Sequence, residues 1–426
     1  MQNAKIEIFP KVFETGKTHD VFIRVKPCKG QVEKTISVKI QQMERYGIPH
    51  TANYRIDEED RYPYCQAQKV KDGLYKVQYD FFDEQKYDVK VKYGEDVILN
   101  THIYSVFNDL VGVTAFKGDT HLHTNRSDGE GTAFEVGCAY RSAGYDFIAI
   151  TDHHKYFPLQ GEKNEFAELT EEFTVFRGEE VHNRGMGYTH IINFDGDFSV
   201  NDIVENEKSF VEKEINEILS STQFDSQVVD KWDCAYRIFV SNQIRKGNGV
   251  SIMAHPFWDC YGEYHMPTKT VEYLIRNGCY DALELLAGND ISGQNGNNLQ
   301  IALYNDLQAQ GAKIALLGAS DAHSTREKSS LFNRQYSFVF AKNRAGIKES
   351  IKERKSVAVL VIDKVNYMIF GEYRWVKYAR FLFDEYFSVY QKLTKKHAKA
   401  LALKEIDKIK RIEKEIQEFK KSFFSW

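Results

Sequence analysis

Residues 117–129 read KGDTHLHTNRSDG, with His121 and His123 one residue apart, then Asp128 and a glycine. Imidazole and carboxylate together bind divalent first-row ions such as Zn²⁺, Mn²⁺ or Fe²⁺. The same residue types recur downstream. Asp152 and His153 close FIAITDH, and Glu179 and Glu180 close TVFRGEE. His190 lies in YTHIINF, His255 ends VSIMAH, and Asp321 and His323 follow LLGAS. Ten of the thirteen histidines fall between His102 and His323. Singly, each has an ordinary explanation: a lone His is usually a satisfied or solvated side chain, and S-D-G is usually a turn. Gathered in one cleft, however, that many carboxylates would repel each other and need raised pKa values. Metal binding is the chemistry that removes the conflict.

Residues so far apart in sequence meet only if the fold brings them together. DFIAITDH (146–153), TVFRGEEV (174–181), THIINF (189–194), GVSIMAHP (249–256), DALELLAG (281–288) and KIALLGASD (313–321) are short apolar runs. Helical stretches such as 130–144 and 296–311 precede several of them. Buried strands alternating with helices imply a parallel sheet, open or closed into a barrel. In a barrel the strand ends converge on one mouth. For His-x-His to reach one ion the strand must bend or end between the two, which Gly118 and the following loop allow. Residues 197–246 contain no Gly or Pro and many charges, which predicts inserted helices.

Up to residue 115 the pattern differs. VFIRV, YKVQYDF and YDVKVKY alternate apolar with polar residues between turn-like stretches, which predicts an antiparallel β-sandwich. After Gly371 there is again no Gly or Pro. Ile409, Ile412, Ile416, Phe419 and Phe423 recur at helical spacing, so a C-terminal helical extension over 363–426 is expected. Residues 391–426 carry ten Lys and one Arg against five acidic residues. The apolar stripe is expected to pack on the body of the protein or on a second copy, giving a homo-oligomer; a nucleic-acid or membrane-surface role is the alternative.

Composition narrows the remaining classes. The chain has 426 residues, 42% hydrophobic and 28% charged, with a formal net charge of −4, so no general polyanion-binding surface is indicated. No apolar run approaches the ~18 residues of a membrane span, and MQNAKIEIFPKVFE does not read as a signal peptide. The six cysteines, Cys28, Cys65, Cys138, Cys234, Cys260 and Cys279, contain no C-x-x-C pair. That usage suits free thiols in the cytoplasm.

The order KGDTHLHTNRSDG, ITDHH, RGEE, THII, MAHP, ASDAH resembles the PHP (polymerase and histidinol phosphatase) family of metal-dependent hydrolases, over roughly residues 116–360. It is most similar to the CehA/McbA-like phosphoesterase branch. The resemblance implies an α/β fold, a distorted (β/α)7 TIM-like barrel over 116–362 with the helical insertion at 197–246. It implies two or three divalent ions (Mn, Fe or Zn). His121, His123, Glu180 and Asp321 would hold the first. Glu180 would bridge to a second, completed by His190 and His255. Asp128, His153 and His323 would hold the third. Glu179 competes with Glu180 for its place, and His182 with His190. His182 and His154, the latter where relatives often have Asn, are otherwise expected to face substrate.

The expected activity is that of a metal-dependent phosphoesterase, hydrolysing a small-molecule or short-nucleotide phosphomonoester or diester through a metal-bridging hydroxide, with Asp321 as catalytic base. Arg126, Lys155 and Arg184 lie in loops beside the motifs, where cations could hold a phosphate. Two alternatives stay open: a carboxylester, carbamate or amide hydrolase on the same ions, and a non-enzymatic, metal-stabilised binding module.

Overall fold

The computed structural model describes residues 5–26, 34–44, 63–158, 163–182, 189–260, 262–288 and 293–426. The chain forms two compact units. One comprises Met1–Val113 with Arg380–Tyr390 and Lys414–Trp426, the other Thr114–Ala379 with Gln391–Glu413. The first boundary falls two residues from the one read at 115, whereas the extension expected over 363–426 is shared between the two units.

In the first unit, strands Lys5–Phe9, Thr18–Lys26, Leu74–Asp80 and Gln68–Lys71 make one sheet. Val12–Glu14, Asp96–Val106, Lys86–Tyr93, Ile36–Gln42 and Cys65–Gln66 make another. The alternation seen in the sequence becomes alternating burial: every second residue of KYDVKVKY is buried. Phe13, Val21, Ile23, Val38, Tyr87, Val89 and Ile103 share one core. Against the antiparallel expectation, Val12–Glu14 pairs in parallel with Tyr104–Val106. The residues between them, 15–103, supply the long crossover that a parallel pair requires.

The second unit is mixed α/β. Its first sheet runs Thr174–Phe176, Phe147–Ala149, Thr114–Asp119, Gln335–Ala341, Ser356–Val361, Tyr367–Phe370. Its second runs Gly178–His182, His190–Phe194, Val250–Met253, Ala282–Leu286, Ala315–Gly318. Among the described residues no ladder closes these strands into a barrel, and the pairing is not all parallel. The strand Gly178–His182 returns through a short connection to His190–Phe194, and so short a link permits only antiparallel pairing. The sheets meet at two seams spanned by isolated bonds. At one, Ser337 Oγ donates to Gly318 O at 2.9 Å and accepts from Gly318 N at 3.0 Å. At the other, single bridges join His153 to Glu180 and Phe157 to Gly178.

The central strands Phe147–Ala149, Val250–Met253, Ala282–Leu286 and Ala315–Gly318 are wholly buried, as their largely apolar runs imply. Helix Ala133–Ser142 begins at a capping box made by Thr132 and Glu135. Residues 200–246 contain helices Val200–Asn206, Lys208–Ser221 and Lys231–Lys246, which bury Val211, Ile215, Phe239, Val240 and Ile244 in a shared core. At the C-terminus, helices Tyr373–Leu382, Ser388–Ala402 and Ile406–Phe423 follow one another, with a π-helical turn at Phe383–Phe387.

Candidate metal centre

The strand Thr114–Asp119 ends two residues before His121, and Leu122 then makes only an isolated bridge to Ala322. That break lets both imidazoles turn inward, so His123 Nε2 lies 3.2 Å from His121 Nε2. Asp321 Oδ1 lies 3.2 Å from His121 Nε2 and 3.0 Å from His123 Nε2. Glu180 Oε2 lies 3.4 Å from each. At a metal–nitrogen distance of about 2.1 Å, tetrahedral neighbours stand about 3.4 Å apart, which the His121, His123 and Glu180 atoms match; Asp321 also groups with His121 and His255.

Glu180 turns its other oxygen to a second group. Oε1 lies 2.6 Å from His190 Nδ1 and 3.5 Å from His255 Nε2. His190 opens a strand rather than closing one. Antiparallel pairing sets it opposite His182, so a strand start reaches the mouth. A third group joins Asp128 Oδ2 to His323 Nε2 at 3.3 Å and to His153 Nε2 at 3.4 Å. His123 belongs to this group as well, its ring stacked on His323 at 4.2 Å. All nine expected ligands are therefore gathered in one cluster.

The donor set fits divalent ions. Both oxygens of Glu180 and both ring nitrogens of His190 and His255 are buried without a hydrogen bond, despite the short His190–Glu180 approach. Leaving one such group unsatisfied costs about 1–3 kcal/mol, so six polar atoms together need a shared partner of another kind. Burial would neutralise Glu180, but His190, His153 and His121 outweigh it and hold its pKa well below the usual range. At His121 burial opposes charge, and Asp321, Glu284 and Glu180 overcome it, raising the pKa well above the usual value. Burial wins at His190, pushed down to about 3, which leaves the neutral imidazole that ligates metals. His153 is raised to about 10, because Glu180 and Asp128 outweigh its burial.

Backbone strain marks the same place. His255 has φ +24°, Asp321 +47° and His154 +57°, all non-glycine residues in the left-handed region. Around the ligands stands a second layer. Glu284 Oε1 lies 2.9 Å from His121 Nδ1, and Glu284 Oε2 accepts from His255 N at 3.1 Å. Asp152 accepts from Thr124 N and Oγ1, both at 2.7 Å, and from Ser127 Oγ at 2.8 Å, ordering the loop that carries Asp128. Asp119 accepts from Ser320 N and Oγ and from Tyr140 OH, tying together the two strand ends that bear His121 and Asp321. Burial raises the Asp119 pKa to about 6.

Glu284 was missed by sequence reasoning, although a lone carboxylate inside DALELLAG is the signal that marks it. His265 and Trp258 were missed too. His265 lies 4.9 Å from His190 and 5.1 Å from His255 between ring centroids, and Trp258 lies 5.5 Å from His255.

The expected substrate-facing residues divide. His182 Nε2 reaches His153 Nδ1 at 2.6 Å and groups with His153 and Glu180, so it stands at ligand distance. The His154 ring lies 4.5 Å from that of His182, tilted by 47°, and 3.5 Å from Glu205. Arg126 places its guanidinium over Phe157, and Lys155 donates to the Arg126 carbonyl on an exposed loop. Arg184 lies outside the described residues. Glu179 points away from the cluster and is held by other donors, leaving Glu180 as the carboxylate among the histidines.

The chain is similar to PHP-like metal-dependent phosphoesterases. No family model matches it. A segment is 34% identical over 83 residues to the DNA polymerase/3′-5′ exonuclease PolX of Bacillus subtilis, covering 17% of this chain and 15% of that relative. A Bacteroides vulgatus two-domain protein containing a predicted PHP-like metal-dependent phosphoesterase superposes over 58% of this chain and 66% of its own, at 22% identity and a TM-score of 0.37. An amidohydrolase from Chromobacterium violaceum, with bound sulfate and no metal, covers 50% of this chain and 89% of its own at 17% identity and a TM-score of 0.34. The chain thus spans less than two thirds of the first two of these relatives. No helix among the described residues is long and apolar enough to cross a membrane.

Proposed function

We propose that the protein is a PHP-type metal-dependent hydrolase of phosphate mono- or diesters, and that its two sheets are the family's distorted barrel opened at two seams. The observation that carries this reading is Glu180, a buried carboxylate with neither oxygen hydrogen-bonded, set between two histidine groups. Divalent ions bound there would lower the pKa of coordinated water toward about 7 and offset charge on phosphoryl oxygens.

In this reading His121, His123, Glu180 and Asp321 hold one ion, Glu180 with His190 and His255 a second, and Asp128, His153 and His323 a third. Asp321 stays ionised because His121 and His123 outweigh its burial. It is buried beside His121 and His123, at 3.2 and 3.0 Å from their Nε2 atoms, where a ligand and proton-handling group would stand. His182 completes the wall beside Glu180 and His153. Glu284 holds His121 at Nδ1 and so fixes which nitrogen faces the cluster.

Protein loaded with Mn²⁺, Fe²⁺ or Zn²⁺ should hydrolyse p-nitrophenyl phosphate or bis-p-nitrophenyl phosphate faster than p-nitrophenyl acetate. Preference for the acetate would replace the phosphoesterase reading by the carboxylester one. Metal-loaded protein inert on all three would leave the binding-module reading.

A further inference from the structure

One side chain of the inserted helices reaches back to the metal centre's own strand. Asn201 is 1% exposed and lies in the first turn of helix Val200–Asn206. Its amide nitrogen donates to Glu180 O at 3.0 Å and to Glu179 Oε2 at 3.0 Å, and its amide oxygen accepts from His182 N at 3.2 Å. Glu179 receives three further donors from the same turn, Ser199 Oγ at 2.8 Å, Val200 N at 2.6 Å and Asn201 N at 3.3 Å. Asn193 Nδ2 adds another at 2.8 Å from the neighbouring strand.

Glu179 takes up the Val200 and Asn201 N–H groups that the helix start leaves open, but the three bonds of the Asn201 side chain are not needed by the helix itself. Ser199 already caps it, accepting from Asp202 N at 3.0 Å. On one side the strand Gly178–His182 pairs with His190–Phe194; on the other its pairing is limited to isolated bridges. Asn201 occupies that incomplete edge and grips the backbone between Glu180 and His182, at Glu180 O and His182 N. Successive side chains of a strand point to opposite faces, so gripping Glu179 outward directs Glu180 inward.

We propose that Glu179 and Asn201 form a clasp that sets the reach of the Glu180 carboxylate and the His182 imidazole, making Asn201 a positioning residue for metal binding. The proposal rests on the metal-dependent reading above. It assigns the insertion a task at the centre beyond covering the sheet, because a carboxylate shared by two ions must be placed more closely than one serving a single ion.

The test is a chelator-competition titration of Mn²⁺ and Zn²⁺ on the full chain, with metal content by elemental analysis and folding by circular dichroism. Asn201→Ala should stay folded and bind ions about 10–100-fold more weakly, the usual effect of removing a residue that orients a ligand. Glu179→Gln keeps the volume but presents a donor where the helix turn offers donors. It should weaken binding in the same range, and it answers the question if Asn201→Ala does not fold. Ser356→Ala, which removes the buried hydroxyl bonded to Leu316 O, is the control and should leave affinity unchanged. Folded Asn201 and Glu179 variants with wild-type affinity would overturn the clasp. Wild-type protein that binds no divalent ion would overturn the metal reading instead.

Discussion

His255 shows what single residues carry. Its side chain meets Glu180 Oε1 and Asp321 Oδ2 at 3.5 and 3.9 Å, and neither ring nitrogen has a hydrogen bond. His255→Ala should therefore lower the bound-metal content and remove most hydrolysis while leaving the far-ultraviolet spectrum intact. Gross unfolding of this variant would mean that the ions mainly hold the fold together. Glu284→Gln should act more gently: an amide still reaches His121 but no longer favours the same tautomer. Affinity should fall by about 10–100-fold, measured by chelator competition. Unchanged affinity would reduce Glu284 to a packing residue. The clustering of the nine residues was legible because imidazole and carboxylate at strand ends have few other uses. Glu284, Asn201 and His265 were not, since each takes its meaning from a spatial neighbour distant in sequence.

At the scale of elements, short apolar runs located the strands but not their direction. The sequence predicts parallel neighbours from helix–strand alternation, and that rule fails where Gly178–His182 turns back to His190–Phe194. The C-terminal stripe was better marked: Ile409, Ile412, Ile416 and Phe423 are all buried. In the second unit the stretch 391–413 is fastened by Arg141 Nε donating to His397 Nδ1 at 3.0 Å and Thr170 Oγ1 donating to Glu413 at 2.5 Å. In the first unit, Glu385 lies 2.8 Å from His102 Nδ1 and 2.9 Å from Lys11 Nζ and accepts from Thr101 Oγ1 at 3.0 Å. Its burial is outweighed by His102 and Lys11, which push its pKa down to about 2. Burial also lowers the Lys11 pKa against the pull of Glu385, so the pair's net contribution is smaller than the carboxylate alone would suggest. A carboxylate depressed on folding stabilises fully above its unfolded value near 4.5 and loses that contribution as pH falls toward about 2. Glu385→Gln should therefore lower the thermal midpoint at pH 6 and converge with wild type between about pH 4.5 and 2. Parallel pH profiles for the two proteins would show that Glu385 contributes nothing through its charge.

The whole chain brings its last residues to its first unit, which no local pattern in the sequence could announce. Lys11 N donates to Phe423 O at 2.6 Å, Ser425 N donates to Val12 O at 3.1 Å, and Phe424 bridges Val12 in parallel. Phe423 packs at 5.1 Å and Phe419 at 5.3 Å from the Tyr386 ring. Truncation after Glu413 would strip these contacts and uncover Val12 and Tyr386, both now buried. Covering one large apolar side chain is worth about 1.5–3 kcal/mol, so losing Ile416, Phe419, Phe423 and Phe424 together should lower the melting midpoint and reduce solubility. The nine proposed metal ligands all belong to the second unit, which ends its C-terminal contribution at Glu413. Ion content per folded chain should accordingly stay at the wild-type value in elemental analysis. A truncated chain with an unchanged midpoint would show that the terminal aromatics stabilise nothing. One that melts lower and also loses its ions would show that the C-terminal segment supports the metal centre, against the division into units.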